Sequence, residues 1–215
     1  MKYIIMCGGT YRHWITPRQL TKVAGETLVE RTIRLLRESG ADDIAISSNN
    51  PIFEQFGVPV LHHTNSYTAN GHLDISGYWY ECFYPMDEPV CYIFGDVVFS
   101  PEAMKCIVET DTDSIQFFAS APPFAEDYSK PWAEPFALKV VDNERLREAI
   151  QKVKILNEAG VFYRRPIMWE LWAVINGTNP NGIDYGSYAV INDYTCDIDE
   201  PEDVQVYESI LRRRA

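Results

Sequence analysis

The sequence predicts an α/β fold with a mostly parallel central sheet, and three observations carry that expectation. Apolar runs of strand length alternate with helical patterns through the first half of the chain, the order that builds parallel strands joined by crossover helices in a three-layer arrangement. The run Pro89-Val90-Cys91-Tyr92-Ile93-Phe94 shows no alternation of apolar and polar residues, which marks a central strand covered on both faces. The first run, Tyr3-Ile4-Ile5-Met6-Cys7, stops at Gly8-Gly9 and gives way to a polar loop, Thr10 to Thr16.

Taken in order, that opening run reads as a buried strand. Pro17-Arg18-Gln19-Leu20 closes the loop, and Ala24-Gly25 is expected to lead into a helix. Thr27-Leu28-Val29-Glu30 has the spacing of a capping box, and Leu28, Thr32, Leu35 and Leu36 continue it as a helical stripe ending at Gly40. Asp43 to Ser48 and Val58 to Leu61 read as two further strands. The polar loop His62 to Gly71 then runs into an aromatic helix around Ile75 to Tyr84. Beyond the central strand, Ser100-Pro101-Glu102 places a cap, a proline and an acid where a helix start needs them. Ser114 to Ala119 and Pro135 to Val141 read as strands, separated by a stretch rich in Pro, Trp and acid that suggests a flap or an interface. Glu144 to Leu156 and Ile167 to Asn176 read as helices, Ser187 to Ile191 as a late strand, and Pro201 to Arg212 as a last helix. No repeat or linker interrupts the pattern, so residues 1–215 are expected to form one domain.

Composition narrows the function. Nearly half of the 215 residues are apolar, enough for a substantial core. No run is long enough to span a bilayer, and the apolar start is too short for a signal-peptide core, so a cytoplasmic protein is expected. Five scattered cysteines without a C-x-x-C spacing fit reduced thiols and argue against zinc. A formal charge of −12 argues against nucleic-acid binding, though a local arginine cluster can still focus positive potential on a small anion.

A glycine pair just past a strand lets the backbone approach a ligand closely, and successive loop N–H groups can hold an anion. Arg12 and Arg18 add charge that does not titrate away. The loop has neither the Lys-Ser/Thr ending of a P-loop nor the dinucleotide fingerprint. Gly95-Asp96 follows the central strand directly. Ligands of open α/β sheets gather beyond the carboxyl ends of the strands, so Asp96 and the Gly8-Gly9 loop would face one crevice, unless Asp96 merely turns the chain. A second acidic segment, Cys196-Asp197-Ile198-Asp199-Glu200-Pro201-Glu202-Asp203, precedes the last helix. Glu202 and Asp203 suit its dipole, while Asp197 and Asp199 alternate on an extended stretch ahead of it. The pair Arg164-Arg165 either binds an acceptor phosphate or is a solvated surface pair. His62, His63, His72 and Asp74 lie where a base or ribose could be reached, and the adjacent histidines point opposite ways on a strand. No serine or cysteine has a convincing partner as a nucleophile; Cys7, inside a buried strand, reads as packing.

The run Ile5-Met6-Cys7-Gly8-Gly9, an arginine, Pro17-Arg18-Gln19-Leu20 and Gly25-Glu26-Thr27-Leu28 resembles the opening signature of the nucleotidyltransferase superfamily. Asp197-Ile198-Asp199-Glu200-Pro201-Glu202-Asp203 resembles an Asp-Ile-Asp-x-Pro-x-Asp segment of its small bacterial sugar-phosphate and phosphocholine-type cytidylyltransferases. The chain departs at two places: the family's second loop glycine falls near Tyr11, and its lysine is Arg18. The resemblance implies a Rossmann-like, glycosyltransferase-A-like α/β/α fold and a transfer from a nucleoside triphosphate, CTP first, to a phosphorylated acceptor with release of pyrophosphate. It implies Mg2+ held by Asp96, Asp197 and Asp199, and catalytic roles for Arg12, Arg18 and Asp96. Nucleotide contacts would come from Cys7, Gly8, Gly9, Thr10, Arg12, Arg18, Gly71, Gly95 and Asp96. Acceptor contacts would come from Glu134, Arg164 and Arg165. The acceptor would be a sugar phosphate, a phosphocholine-like alcohol phosphate or a phosphoamino acid used in surface polysaccharide decoration. Small-molecule partners only are implied, with no nucleic acid or membrane, and a homodimer is allowed. Two rivals remain. One is a glycosyltransferase using Asp111-Thr112-Asp113 to hold a nucleotide-sugar; the other is a non-catalytic nucleotide-binding regulator, motivated by Tyr11 and Arg18.

Overall fold

The computed structural model describes residues 1–8, 14–63, 82–121, 133–182 and 186–214. Its frame is a seven-stranded sheet in the spatial order β10-β8-β9-β6-β1-β4-β5. In chain order these strands are β1 (Lys2–Met6), β4 (Ile44–Ser47), β5 (Val60–Leu61), β6 (Val90–Phe94), β8 (Ile115–Ala119), β9 (Pro135–Val140) and β10 (Ala189–Val190). Every neighbouring pair is parallel except the two made by β9, which runs against both β6 and β8. The sheet is therefore mostly parallel, as expected from the alternating pattern, with one reversed strand beside its centre.

The β6 strand is buried at all five positions, consistent with its uninterrupted apolar run. Its neighbour β1 aligns Ile4 with Tyr92 and Met6 with Phe94, so both strands end at the same edge. The helix α1 (Leu28–Glu38) begins with the capping box read from the sequence: the Thr27 side chain accepts from Glu30 N–H, and the Glu30 carboxylate accepts from Thr27 N–H. Its apolar side, Leu28, Val29, Ile33, Leu35 and Leu36, is buried. Each such side chain contributes about 1.5–3 kcal/mol relative to exposure. The helices α2 (Pro101–Glu109), α3 (Asn143–Glu158) and α4 (Met168–Asn176) follow, with α1 packed on α2 and α3 on α4. The chain closes with α5 (Asp203–Arg214).

Three local expectations need correction or refinement. Ala24-Gly25 leads into α1 only by way of a hairpin: it is the two-residue turn between β2 (Lys22–Val23) and β3 (Glu26–Thr27). Both turn residues have positive φ, 53° and 87°, the geometry that matches a tight turn to the twist of the strands it joins. The late strand is shorter than its apolar run, only Ala189–Val190, because it lies at the sheet edge and pairs with β8 alone. The last helix starts at Asp203 rather than Pro201: the Asp203 carboxylate accepts from the N–H groups of Asp199 and Glu200, folding the preceding turn back on it. The aromatic helix expected around Ile75 to Tyr84 lies mostly outside the described residues.

Candidate active site

The carboxyl ends of β1, β6 and β8 define one edge of the sheet, and the candidate residues gather there for identifiable reasons. Gly95 joins β6 to Asp96, and its N–H donates to the Met6 carbonyl at 3.2 Å. An added Cβ at Gly95 would stand 2.5 Å from that carbonyl oxygen, so only glycine lets the two strand ends close together. Just past Asp96, β7 (Val97–Val98) pairs antiparallel with β11 (Cys196–Asp197), aligning Val97 with Asp197. The ribbon continues one residue further, with Ile198 N–H donating to the Asp96 carbonyl at 2.9 Å. This small ribbon brings a segment about a hundred residues away onto Asp96. Ile198 is fully buried, and Asp197 and Asp199, on either side of it, are left on the opposite side, as their alternation predicts.

The reversal of β9 supplies a further acid. A parallel strand would start at the far edge; an antiparallel one starts at the ligand edge, and so Glu134, immediately before β9, arrives in the crevice. Its backbone is fixed by Ser120, which accepts from Glu134 N–H through its hydroxyl at 2.8 Å and donates its own N–H to the Glu134 carbonyl at 2.9 Å. One carboxylate oxygen from each of Glu134, Asp197 and Asp199 lies within 4.8 Å of the other two. Oxygens bound to one magnesium at about 2.1 Å are at most about 4.2 Å apart, so this all-oxygen set fits such an ion after a small closure. Asp96 is not in this trio. It is tied to Asp199 through Arg18, whose guanidinium donates to Asp96 Oδ2, to Asp199 Oδ1 at 2.8 Å and to the Ile198 carbonyl at 2.9 Å. Arg18 sits in a single 3-10 turn, Arg18–Leu20, closed by Leu20 N–H on the Pro17 carbonyl.

The remaining expected residues have different surroundings. Gly9, Thr10, Arg12 and Gly71 lie outside the described residues, as do Tyr11, His72 and Asp74. Cys7 is buried at the end of β1, where burial, and secondarily the Asp96 carboxylate, push its thiol well above the ordinary range. It is a packing residue beside the crevice and not a thiolate. None of the five cysteines is in a disulfide among the described residues. Arg164 donates from Nε to Glu170 Oε1 at 2.6 Å, and Glu170 also accepts from Ile167 N–H at the start of α4. The guanidinium thus holds a helix start, and Tyr163 beside it is exposed. His63 is buried, its backbone N–H and carbonyl both bonded to the Asn49 side chain, and burial lowers its pKa. Asp111 and Asp113 precede β8, so they lie at the edge where β8 begins, opposite the crevice.

Two crevice residues escaped the sequence reading. Trp14 donates from its indole N–H to the Asp199 carbonyl at 3.0 Å, and Gln19 packs beside Gly95, 98 % buried. Nothing local in the sequence marks either, since their partners are distant in the chain.

Residues 3–105 match the MobA-like NTP transferase domain. No curated protein sequence matches the chain. Among solved structures, the fold is similar to that of a protein assigned as a glucose-1-phosphate thymidylyltransferase from Bacillus anthracis (TM-score 0.61, 14% identity, 98% of this chain and 95% of the other). It is also similar to the CTP:phosphocholine cytidylyltransferase from Streptococcus pneumoniae (0.56, 16%, 98% and 98%) and to the inositol-1-phosphate CTP transferase from T. maritima (0.57, 16%, 98% and 95%). These likenesses establish a shared fold over nearly the whole of each chain. Residues 3–105 are thus similar to a nucleotidyltransferase domain model, and the fold of the chain is that of the nucleotidyltransferase structures named above.

Proposed function

We propose that the protein transfers a nucleoside monophosphate, CMP first, from its triphosphate to a phosphorylated small metabolite and releases pyrophosphate, with Mg2+ as cofactor. The observation that carries this reading is the convergence of Arg18, Asp96, Asp197 and Asp199 at the carboxyl ends of the central strands, in the geometry given above. The cytidylyl preference rests on the Asp197-Ile198-Asp199 segment and on two neighbours named for CTP.

In this reading Asp197, Asp199 and Glu134 hold the metal, which supplies charge neutralisation at the α-phosphate. Arg18 and Arg12 balance charge on the phosphates, and the Gly8-Gly9 loop receives the triphosphate with its N–H groups. An oxygen of the acceptor phosphate attacks the α-phosphorus in line. The bond from the α-phosphorus to the oxygen bridging it to the β-phosphorus breaks, and pyrophosphate leaves with both electrons. No side-chain nucleophile is required, consistent with the buried Cys7 thiol. Glu134 is read here as a metal ligand rather than an acceptor contact, because its carboxylate lies with Asp197 and Asp199. Arg164, engaged with Glu170, keeps Arg165 as its companion in the acceptor role. A sugar phosphate, a phosphocholine-like alcohol phosphate or a phosphoamino acid is the acceptor class, with surface polysaccharide decoration as the use of the product.

The test is pyrophosphate release with magnesium, each of the four nucleoside triphosphates being paired with a panel of phosphorylated sugars, alcohols and amino acids. Release with one nucleotide and one acceptor class, lost in Asp96→Ala, is the expected result. Silence across the panel, together with thermal stabilisation by a triphosphate, would overturn it in favour of a nucleotide-binding regulator.

A further inference from the structure

Of the two arginines expected at the triphosphate, Arg18 lies among the described residues, and carboxylates surround it. Its side chain is 6% exposed, and it reaches Asp96, at the end of β6, and Asp199, past β11, from the two ends of a single guanidinium. The planar fork spans two acceptors at once, which a lysine ammonium on one stem does not do, and it keeps its charge at any working pH. Asp199 is also one of the three acids whose oxygens converge with those of Glu134 and Asp197. Guanidinium and divalent metal therefore draw on the same carboxylate, and the two cations repel each other across it.

We infer that Arg18 is a resident cation of the crevice, which holds Asp96 and Asp199 until a triphosphate draws it away, so that metal capture is weak before nucleotide arrives and strengthens as Arg18 leaves. The inference rests on the proposed nucleotidyl-transfer reading. Phosphate oxygens accept the same bidentate donation as carboxylates, so a triphosphate offers Arg18 an equivalent set of partners. Release of Asp199 then completes the trio. By linkage, whatever nucleotide adds to metal affinity through this exchange, metal adds to nucleotide affinity. In this role Arg18 is a positioning residue for the acids as well as a partner of the phosphates. The Trp14 indole on the Asp199 carbonyl keeps that segment in place while the guanidinium changes partners.

The test is Mn2+ binding without nucleotide, followed by the electron paramagnetic resonance of the free ion, on wild type, Arg18→Met, Arg18→Lys and the double variant Arg18→Met/Glu134→Gln. A unit charge and a doubly charged ion about 4 Å apart repel by roughly ten times thermal energy or more at an effective dielectric constant of about 20, so Arg18→Met is expected to bind Mn2+ roughly tenfold more tightly or better. Arg18→Lys is expected in between, since an ammonium holds one carboxylate and not both. The double variant loses the gain. Should Arg18→Met not fold, as its melting curve would reveal, the order of Arg18→Lys above wild type carries the test. Equal affinities in wild type, Arg18→Met and Arg18→Lys, with weaker binding in the double variant, would overturn the inference and leave the metal site standing. No Mn2+ binding by any variant, with or without CTP, would overturn the inference together with the proposed function.

Discussion

Gly95→Ala is the sharpest single perturbation of the junction that builds the crevice. The new methyl would lie 2.5 Å from the Met6 carbonyl oxygen, about 0.9 Å short of the 3.4 Å at which ordinary contact begins. It would also meet Cys7 Sγ at 3.0 Å and Gln19 Cγ at 3.1 Å. The nearest atom is backbone and sits at the end of a fully paired strand, so no rotamer change relieves the clash. Overpacking of this kind costs about 1–3 kcal/mol, and a backbone clash places this position at the upper end, about 2–3 kcal/mol. For a chain of this size each kcal/mol shifts Tm by about 2–4 °C, giving an expected fall of about 4–12 °C. Urea unfolding of wild type and variant measures the difference, with an unchanged slope as evidence that the unfolded state is unaffected. A loss below about 0.5 kcal/mol, the ordinary scatter of surface substitutions, would refute the argument that the two strand ends require glycine.

Other expectations follow from separate parts of the structure. Thr27→Ala removes the hydroxyl that accepts from Glu30 N–H and is expected to cost about 1 kcal/mol in urea unfolding, by loss of the cap on α1. Asp197→Asn is expected to lower nucleotidyl transfer by about a hundredfold or more while leaving Tm within a few degrees, which steady-state kinetics and a melting curve would check together. Burial holds the His63 pKa below its ordinary value of about 6.5, and its Nδ1 has no hydrogen-bond partner among the described residues. The unfolded chain therefore takes up this proton first, and stability is expected to fall as pH drops below about 6.5 toward the folded pKa. His63→Phe, which keeps a ring edge against Tyr84, would remove that part of the pH dependence in unfolding measurements between pH 5 and 7.5.

The legible parts of this chain are those in which neighbours along the sequence decide the outcome. The capping box at Thr27–Glu30, the buried run of β6 and the cap and proline at Ser100-Pro101 are short-range patterns, and the structure keeps each of them. The hairpin at Ala24-Gly25 is not legible, because strands of two residues are too short to show a period, although the helix it leads into is. The same limit applies to the reversed direction of β9. A strand-length stretch such as Pro135–Val140, apolar but for Lys139, reads identically whichever way it lies in the sheet.

What the amino-acid order determined by itself was the seven strands of the large sheet and the five helices, though not the short β2–β3 and β7–β11 ribbons, together with the glycine break after β1 and an acid directly after the central strand. These follow from burial periodicity and backbone restriction, which act over a few residues. What tertiary structure alone decided was which charges meet. Arg18 reaches Asp96 and Asp199 across 78 and 181 residues, and Glu134 joins Asp197 and Asp199 only because β9 runs backwards and β11 pairs with β7. Electrostatic interactions depend on separation in space, and no spacing along the chain encodes it until the sheet has brought its strand ends to one edge.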